Sequence, residues 1–179
     1  MIDESSAREL PVLFSEQEIQ ARVGELAMEI RAYYGDDVPL LVGVLNGAVM
    51  FMADLARRIP GDVRFEFMAV SSYGDSTTTS GAVKILKDLD SDIAGRRVLI
   101  VEDIVDSGTT LRYLLRMLRE RDPQDTRVVS LLRKPVARER GTNPDWVGFE
   151  IDDVFVVGYG LDVAGRYRNL PYIATLQTD

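Results

Sequence analysis

The chain has 179 residues, enough for one domain with a sizeable core, and its 46% apolar and 28% charged composition is that of an ordinary globular protein. A net charge of -8 weighs against nucleic-acid binding as its main business. Cysteine is absent, which excludes disulfide and thiol chemistry, and histidine is absent, which leaves acid–base work to Asp, Glu, Lys or Tyr.

Residues Met1–Ser6 are acidic and polar, without the basic and apolar regions of a signal peptide. The longest greasy stretch, Val38–Ala53, is shorter than a membrane helix needs, so the expectation is a cytoplasmic protein with no membrane partner. Ser15-Glu16-Gln17-Glu18 has the form of a capping box. Ile19, Val23, Leu26, Ile30 and Tyr33 then fall on one helical face that ends before Gly35. Leu40–Leu45 reads as a buried strand and Asn46-Gly47 as a break. Ala48, Phe51, Met52, Leu55 and Ile59 form a second helical face, closed by Pro60-Gly61. Val63, Phe65, Phe67 and Ala69 alternate with Arg64, Glu66 and Met68, the pattern of a half-covered strand. Residues from about 71 to 82 are dominated by Ser, Thr and Gly and predict a mobile loop; such long loops in compact domains are often lids. Val83–Leu89 predicts another strand, with Lys84 and Lys87 outward.

The stretch from Arg97 to Leu111 carries the most chemistry. Val98–Val101 is an unbroken apolar run of the kind a sheet buries on both faces. Glu102, Asp103 and Asp106 follow, then Ser107-Gly108-Thr109-Thr110. Leu111, Leu114, Leu115 and Leu118 come next at helical spacing, with Arg112, Arg116 and Arg119 on the outer face. A single acid in such a turn usually caps a helix or sits in solvent. Three acids in five residues repel one another unless cations or hydroxyls answer them. The small hydroxyl-rich turn into a helix offers N–H groups to an anion. A sugar phosphate satisfies both halves. Beyond it, Val128–Leu132 is a strand ending in Arg133-Lys134-Pro135, and a polar connection holds Gly141, Asn143 and Pro144. Trp146–Phe149 and Val154–Gly158 are β-rich, and Leu170–Leu176 adds one short strand. Strands alternating with helices indicate an α/β fold with a mainly parallel central sheet, in one domain over residues 1–179. No GxxxxGK[ST] loop is present, and Gly158-Tyr159-Gly160-Leu161-Asp162-Val163 fails as GxGxxG, having Val at the last glycine and no helical pattern after it.

Val98 to Thr110 resembles the phosphoribosyl pyrophosphate signature of the type I phosphoribosyltransferases. Val44–Ala48, Ser71–Gly74, Leu132–Pro135 and the stretch from Val147 to Asp162 resemble the hypoxanthine-guanine phosphoribosyltransferase family, over about residues 10 to 176. The resemblance implies the type I fold, with flanking helices and a small hood from the terminal segments. It also implies a Mg²⁺-dependent purine-salvage enzyme that joins N9 of hypoxanthine or guanine to phosphoribosyl pyrophosphate, giving IMP or GMP and pyrophosphate. It assigns Glu102 and Asp103 to the ribose and its metal, and Asp106 to purine N7 as general base or proton partner. Asp106, Ser107, Gly108, Thr109 and Thr110 fall to the 5′-phosphate. Lys134 falls to purine O6, Phe155 to stacking on the base, Val156 to its edge, and Asp162 to the base and Mg²⁺. Leu45, Asn46, Gly47 and Arg168 fall to pyrophosphate, with Arg166 the alternative arginine by spacing, and Ser72 and Tyr73 to the lid. Many members carry Lys where this chain has Asn46, and the Leu45–Asn46 bond is often cis in the family. A homo-oligomer, dimer or tetramer, with no nucleic-acid partner, completes the expectation. The alternatives are a xanthine-preferring enzyme and a nucleotide-sensing regulator on the same fold.

Overall fold

The computed structural model describes residues 10–72 and 83–176. The expected loop from Tyr73 to residue 82 lies outside them. Helix α1 (Glu16–Tyr34) begins at the predicted capping box: Ser15 Oγ accepts from the Glu18 N–H at 3.3 Å, and Glu18 Oε2 accepts from the Ser15 N–H at 2.8 Å. Its buried face is Ile19, Val23, Leu26, Ala27, Ile30 and Tyr34. The last position corrects the sequence reading. Tyr34, four residues beyond Ile30, turns inward, while Tyr33 is exposed beside Trp146 with the Arg127 guanidinium over its ring. Helix α2 (Val49–Arg58) buries Phe51, Met52 and Leu55 as expected.

The main sheet has the order β4-β3-β2-β5-β6-β7. It is built from β2 (Leu40–Leu45), β3 (Phe65–Ser72), β4 (Val83–Lys87), β5 (Arg97–Val105), β6 (Asp125–Arg133) and β7 (Trp146–Glu150). Every pairing is parallel except β3 with β4. Parallel strands need crossovers, and these place helices on both faces. The side chains of α1 and α2 pack into one core, and those of α3 (Thr109–Arg119) into the other, where Leu111, Leu114 and Leu118 are buried. Full burial of each such leucine stabilises by about 2 kcal/mol. Strand β3 is therefore not half-covered as its alternation predicts. Met68 is fully buried on the α3 side, Phe67 packs on the other, and Phe65 is exposed. On β4, Lys84 and Leu86 are the exposed pair; Lys87 has the opposite parity and folds back onto the Phe67 carbonyl at 3.2 Å and Asp90 at 3.0 Å.

A second sheet, order β1-β9-β8, joins β1 (Val12–Phe14), β9 (Ile173–Thr175) and β8 (Val156–Val157). It is the expected hood, although one strand comes from inside the chain. Strand β1 and the short helix α4 (Pro135–Glu139), which fills the expected polar connection, carry too few residues for periodicity to declare them. No helix among the described residues is long and apolar enough to cross a membrane.

A buried polar contact ties hood to core. The Tyr159 hydroxyl donates to Asp54 Oδ2 at 2.5 Å, Gln20 Nε2 donates to the same oxygen at 2.7 Å, and Arg57 pairs with Oδ1. Burial raises the Asp54 carboxyl, but the hydrogen bonds from Tyr159, Gln20 and Arg57 outweigh it and hold it below its ordinary value. Asp54→Ala strands these donors and should lower stability by about 3 kcal/mol at pH 7. A carboxyl depressed in the fold contributes stability above its unfolded pKa and loses it as pH falls through the folded value. Urea melts should therefore show the gap between the two proteins closing below about pH 4. A gap independent of pH would refute the ionic account.

Candidate active site

Strand β5 lies between β2 and β6, so its C-terminal end opens at the centre of the sheet. Ligands of open α/β sheets sit beyond this end of the strands. Glu102, opposite Ser130 on β6, is buried. Burial first, then the Asp103 charge, push its carboxyl well above the usual range. Asp103 is half-buried, and burial raises it to about 6 against the pull of the Ile104 N–H, which donates to Oδ1 at 2.9 Å, and of Arg168. Two adjacent carboxyls held this reluctantly are drawn to the ionised form by a cation or by hydroxyl donors.

The chain then turns. A 250 Å³ cavity is lined by Val70 and the run from Glu102 to Leu111. Ser107 Oγ accepts from the Thr109 N–H at 3.4 Å and donates to its hydroxyl at 3.2 Å. Gly108, at φ 75°, is the N-cap of α3, whose first turn presents N–H groups to an anion. A Cβ on Gly108 would overlap the buried Thr142, whose hydroxyl also takes a 2.5 Å hydrogen bond from Arg112 Nη1. Arg112 and Thr142 thus brace this turn from behind, and the sequence reading assigns a role in the site to neither of them. Three larger cavities are present: two, of 480 and 500 Å³, at the opposite ends of the strands near Thr126 and near Leu40, and one of 360 Å³ between Phe14, Pro135 and Ile151. They lack the acid-then-hydroxyl arrangement.

Lys134 follows β6. Its backbone N–H donates to Val105 O at 3.0 Å, and its carbonyl accepts from Ala137 in α4 at 3.2 Å. The side chain is buried, and its ammonium lies 3.3 Å from Asp106 Oδ2 and 3.0 Å from Asp153 Oδ1. Lys134 and Asp106, 28 positions apart, are therefore brought together as one site requires. Phe155 is 42% exposed, so its ring is not packed into the core and has an open surface. Val156, next in line, is buried in β8.

The loop after β2 completes the arrangement. The Leu45–Asn46 peptide is cis, and Asn46 is exposed. Gly47 lies against Asp103 on one side, where a Cβ would overlap the carboxylate; on the other, its carbonyl meets Gly160 so closely that a Cβ there would overlap it. Gly160 is held by Arg168, whose carbonyl accepts from the Gly160 N–H at 2.9 Å and whose Nη1 donates to the Gly160 carbonyl at 2.5 Å. Arg168 Nη2 pairs with Asp162 Oδ1 at 2.7 Å, and Asp162 Oδ2 accepts from the Gly165 N–H at 2.7 Å. Arg168 is thereby built into the loop, and Arg166 is exposed. The GxGxxG look-alike is this reversal, with bridges Gly158–Leu161 and Val163–Arg166. Ser72 ends β3, and Tyr73 lies outside the described residues.

Among the described residues no three or more acidic groups cluster closely enough to cage a metal. Asp162 already serves two donors, and Glu102 and Asp103 supply adjacent carboxylates. That donor set fits a Mg²⁺ that brings phosphate oxygens and water with it and takes one or two carboxylates from the protein.

Comparison with known proteins agrees with this geometry. The phosphoribosyl transferase domain profile matches residues 13–164. The chain is 54% identical over 166 residues to the hypoxanthine-guanine phosphoribosyltransferase of Bacillus subtilis (strain 168), covering 93% of this chain and 92% of that protein. It is 57% identical over 171 residues to the Mycobacterium avium protein of the same name, covering 92% and 84%. The crystal structure of a hypoxanthine phosphoribosyltransferase from Staphylococcus aureus superposes with a TM-score of 0.90 at 42% identity, over 98% of this chain and 97% of that one. With fold and sequence in agreement, the chain belongs to the hypoxanthine-guanine phosphoribosyltransferases of the phosphoribosyltransferase family.

Proposed function

We propose that this chain transfers the 5-phosphoribosyl group of phosphoribosyl pyrophosphate to N9 of hypoxanthine or guanine, giving IMP or GMP and releasing pyrophosphate, as a step of purine salvage. One observation carries the site assignment. The buried Lys134 ammonium touches Asp106 in the anion-binding turn and Asp153 in the segment leading to Phe155, which links a sugar-phosphate half to a base half. Lys134 donates to O6, as an oxo purine accepts and an amino purine does not. Phe155 stacks on the base, and the backbone of Val156, with Asp162, meets its edge. Asp106 takes the purine proton at N7. The Asp106–Thr110 turn binds the 5′-phosphate, and Glu102 and Asp103 accept hydrogen bonds from the ribose hydroxyls.

As the bond from C1 to pyrophosphate lengthens, charge builds on the leaving oxygens, and Arg168 and the N–H groups of the Leu45–Gly47 loop stabilise it. We assign Glu102, Asp103 and Asp162 as the carboxylates available to Mg²⁺, of which one ion takes one or two; when bound it would add positive charge beside the same oxygens. Ser72 and Tyr73 belong to the segment that would exclude water from an oxocarbenium-like ribose. Self-association as a dimer or tetramer belongs to this reading, and the exposed Met50, Phe65 and Leu86 offer apolar surface for it.

With Mg²⁺ and phosphoribosyl pyrophosphate, purified protein should release pyrophosphate on addition of hypoxanthine or guanine, and much less with adenine. A base competition including xanthine ranks the substrates. No release with hypoxanthine or guanine refutes the proposal, and salt-sensitive RNA binding without turnover would point instead to a regulator.

A further inference from the structure

Lys134 has one more carboxylate than the proposed chemistry asks for. Its ammonium carries three N–H donors. Asp153 Oδ1 receives one of them at 3.0 Å, and Asp106 Oδ2 lies 3.3 Å away in an ion pair. Those acids come from different parts of the site: Asp106 opens the phosphate turn, while Asp153 stands two residues before Phe155 in the segment entering the hood. The Lys134 backbone is fixed by Val105 and Ala137, and its side chain is 11% exposed. The ammonium is thus held by a hydrogen bond to Asp153 and an ion pair with Asp106, which limits where its remaining donors can point.

We propose that Asp153 is a positioning residue that holds the Lys134 ammonium so that a remaining N–H meets the purine O6, and that keeps Lys134 from being captured by Asp106 alone. The inference rests on the proposed function. If Asp106 is to take a proton from the base, a lysine tied to nothing else competes with the base for that carboxylate. A second anchor at Asp153 lets Lys134 turn to O6 while staying ion-paired. Oxo-purine recognition then depends on a residue that touches no substrate. The Asp153 side chain is 70% exposed, and exposed ion pairs contribute little to folding, so its removal separates site geometry from stability.

Steady-state kinetics on the full chain with Mg²⁺, varying hypoxanthine and phosphoribosyl pyrophosphate separately, tests this with Asp153→Ala and Asp153→Glu. The expected result for Asp153→Ala is a rise of about tenfold in KM for hypoxanthine, the size of a lost charge-assisted hydrogen bond. KM for phosphoribosyl pyrophosphate should stay within about twofold and Tm unchanged, because the phosphate turn and the core are untouched. Asp153→Glu, which keeps the charge on a longer arm, should recover most of the loss. An unchanged hypoxanthine KM, an equal rise in both KM values, or a Glu variant no better than the Ala variant overturns the inference while wild-type turnover stands. No turnover by the wild-type chain overturns the proposed function, and this inference with it.

Discussion

Asp106→Asn should lower kcat by about 10²–10³ with hypoxanthine or guanine while KM for phosphoribosyl pyrophosphate stays within about threefold. Asn keeps the shape of Asp and an oxygen that can still accept from Lys134, but its amide cannot take a proton from a purine nitrogen. With no histidine in the chain, no nearby imidazole can take over the step. The phosphate half should survive, because an anion at this turn is held by the N–H groups of the start of α3 and by hydroxyls, and Gly108 and its brace Thr142 are untouched. The Asp106 side chain is 60% exposed, so folding should change little. The split is read by kinetics with each base together with equilibrium binding of phosphoribosyl pyrophosphate. Equal losses in turnover and binding would make Asp106 a structural residue of the turn.

That turn is legible in the amino-acid sequence because several local signals coincide in it. The apolar run of β5 reports a strand covered on both faces, the acids report its exposed end, and the leucine spacing of α3 reports the face on which it packs. Lys134 is legible through its position just after a strand and before Pro135. Other parts are hidden for identifiable reasons. A strand of three residues such as β1 has no period to detect. Asp153 reads as an ordinary loop acid until the fold sets it beside Lys134. Asp54 follows five apolar residues of α2, and the tyrosine that accounts for it is 105 positions away. Arg112 reads as an outer-face arginine, and it is exposed, but its guanidinium reaches Thr142 behind the phosphate turn. Pairings of this kind are properties of the fold, and no spacing rule encodes them.

The contact between Gly47 and Gly160 is hidden in the same way, since neither residue has a side chain to signal it, and it carries the second large effect. Gly160→Ala should reduce kcat/KM for phosphoribosyl pyrophosphate by about 10²-fold, the order that a misplacement of about 1 Å imposes on an aligned site. Gly160 has φ 98°, which L side chains rarely adopt, and its added Cβ would overlap the Gly47 carbonyl. That carbonyl has little room to retreat, because Gly47 already lies against Asp103. Relief must come from the hood moving away, and Arg168 moves with it, being bonded to Gly160 through both its carbonyl and its guanidinium. Asp162, paired to Arg168, follows. The damage should therefore reach the pyrophosphate side through Arg168 and the base edge through Asp162: KM for pyrophosphate in the reverse reaction and KM for the purine should both rise, while the 5′-phosphate turn at the start of α3 is untouched. Gly95→Ala separates displacement from backbone strain. Gly95 has φ 68° with nothing within 4 Å of an added Cβ, so it should lose about 1 kcal/mol of stability and leave both KM values unchanged. A Gly160→Ala enzyme that behaves like Gly95→Ala would show that the hood and the pyrophosphate loop move independently, and that their close approach has no part in holding the leaving group.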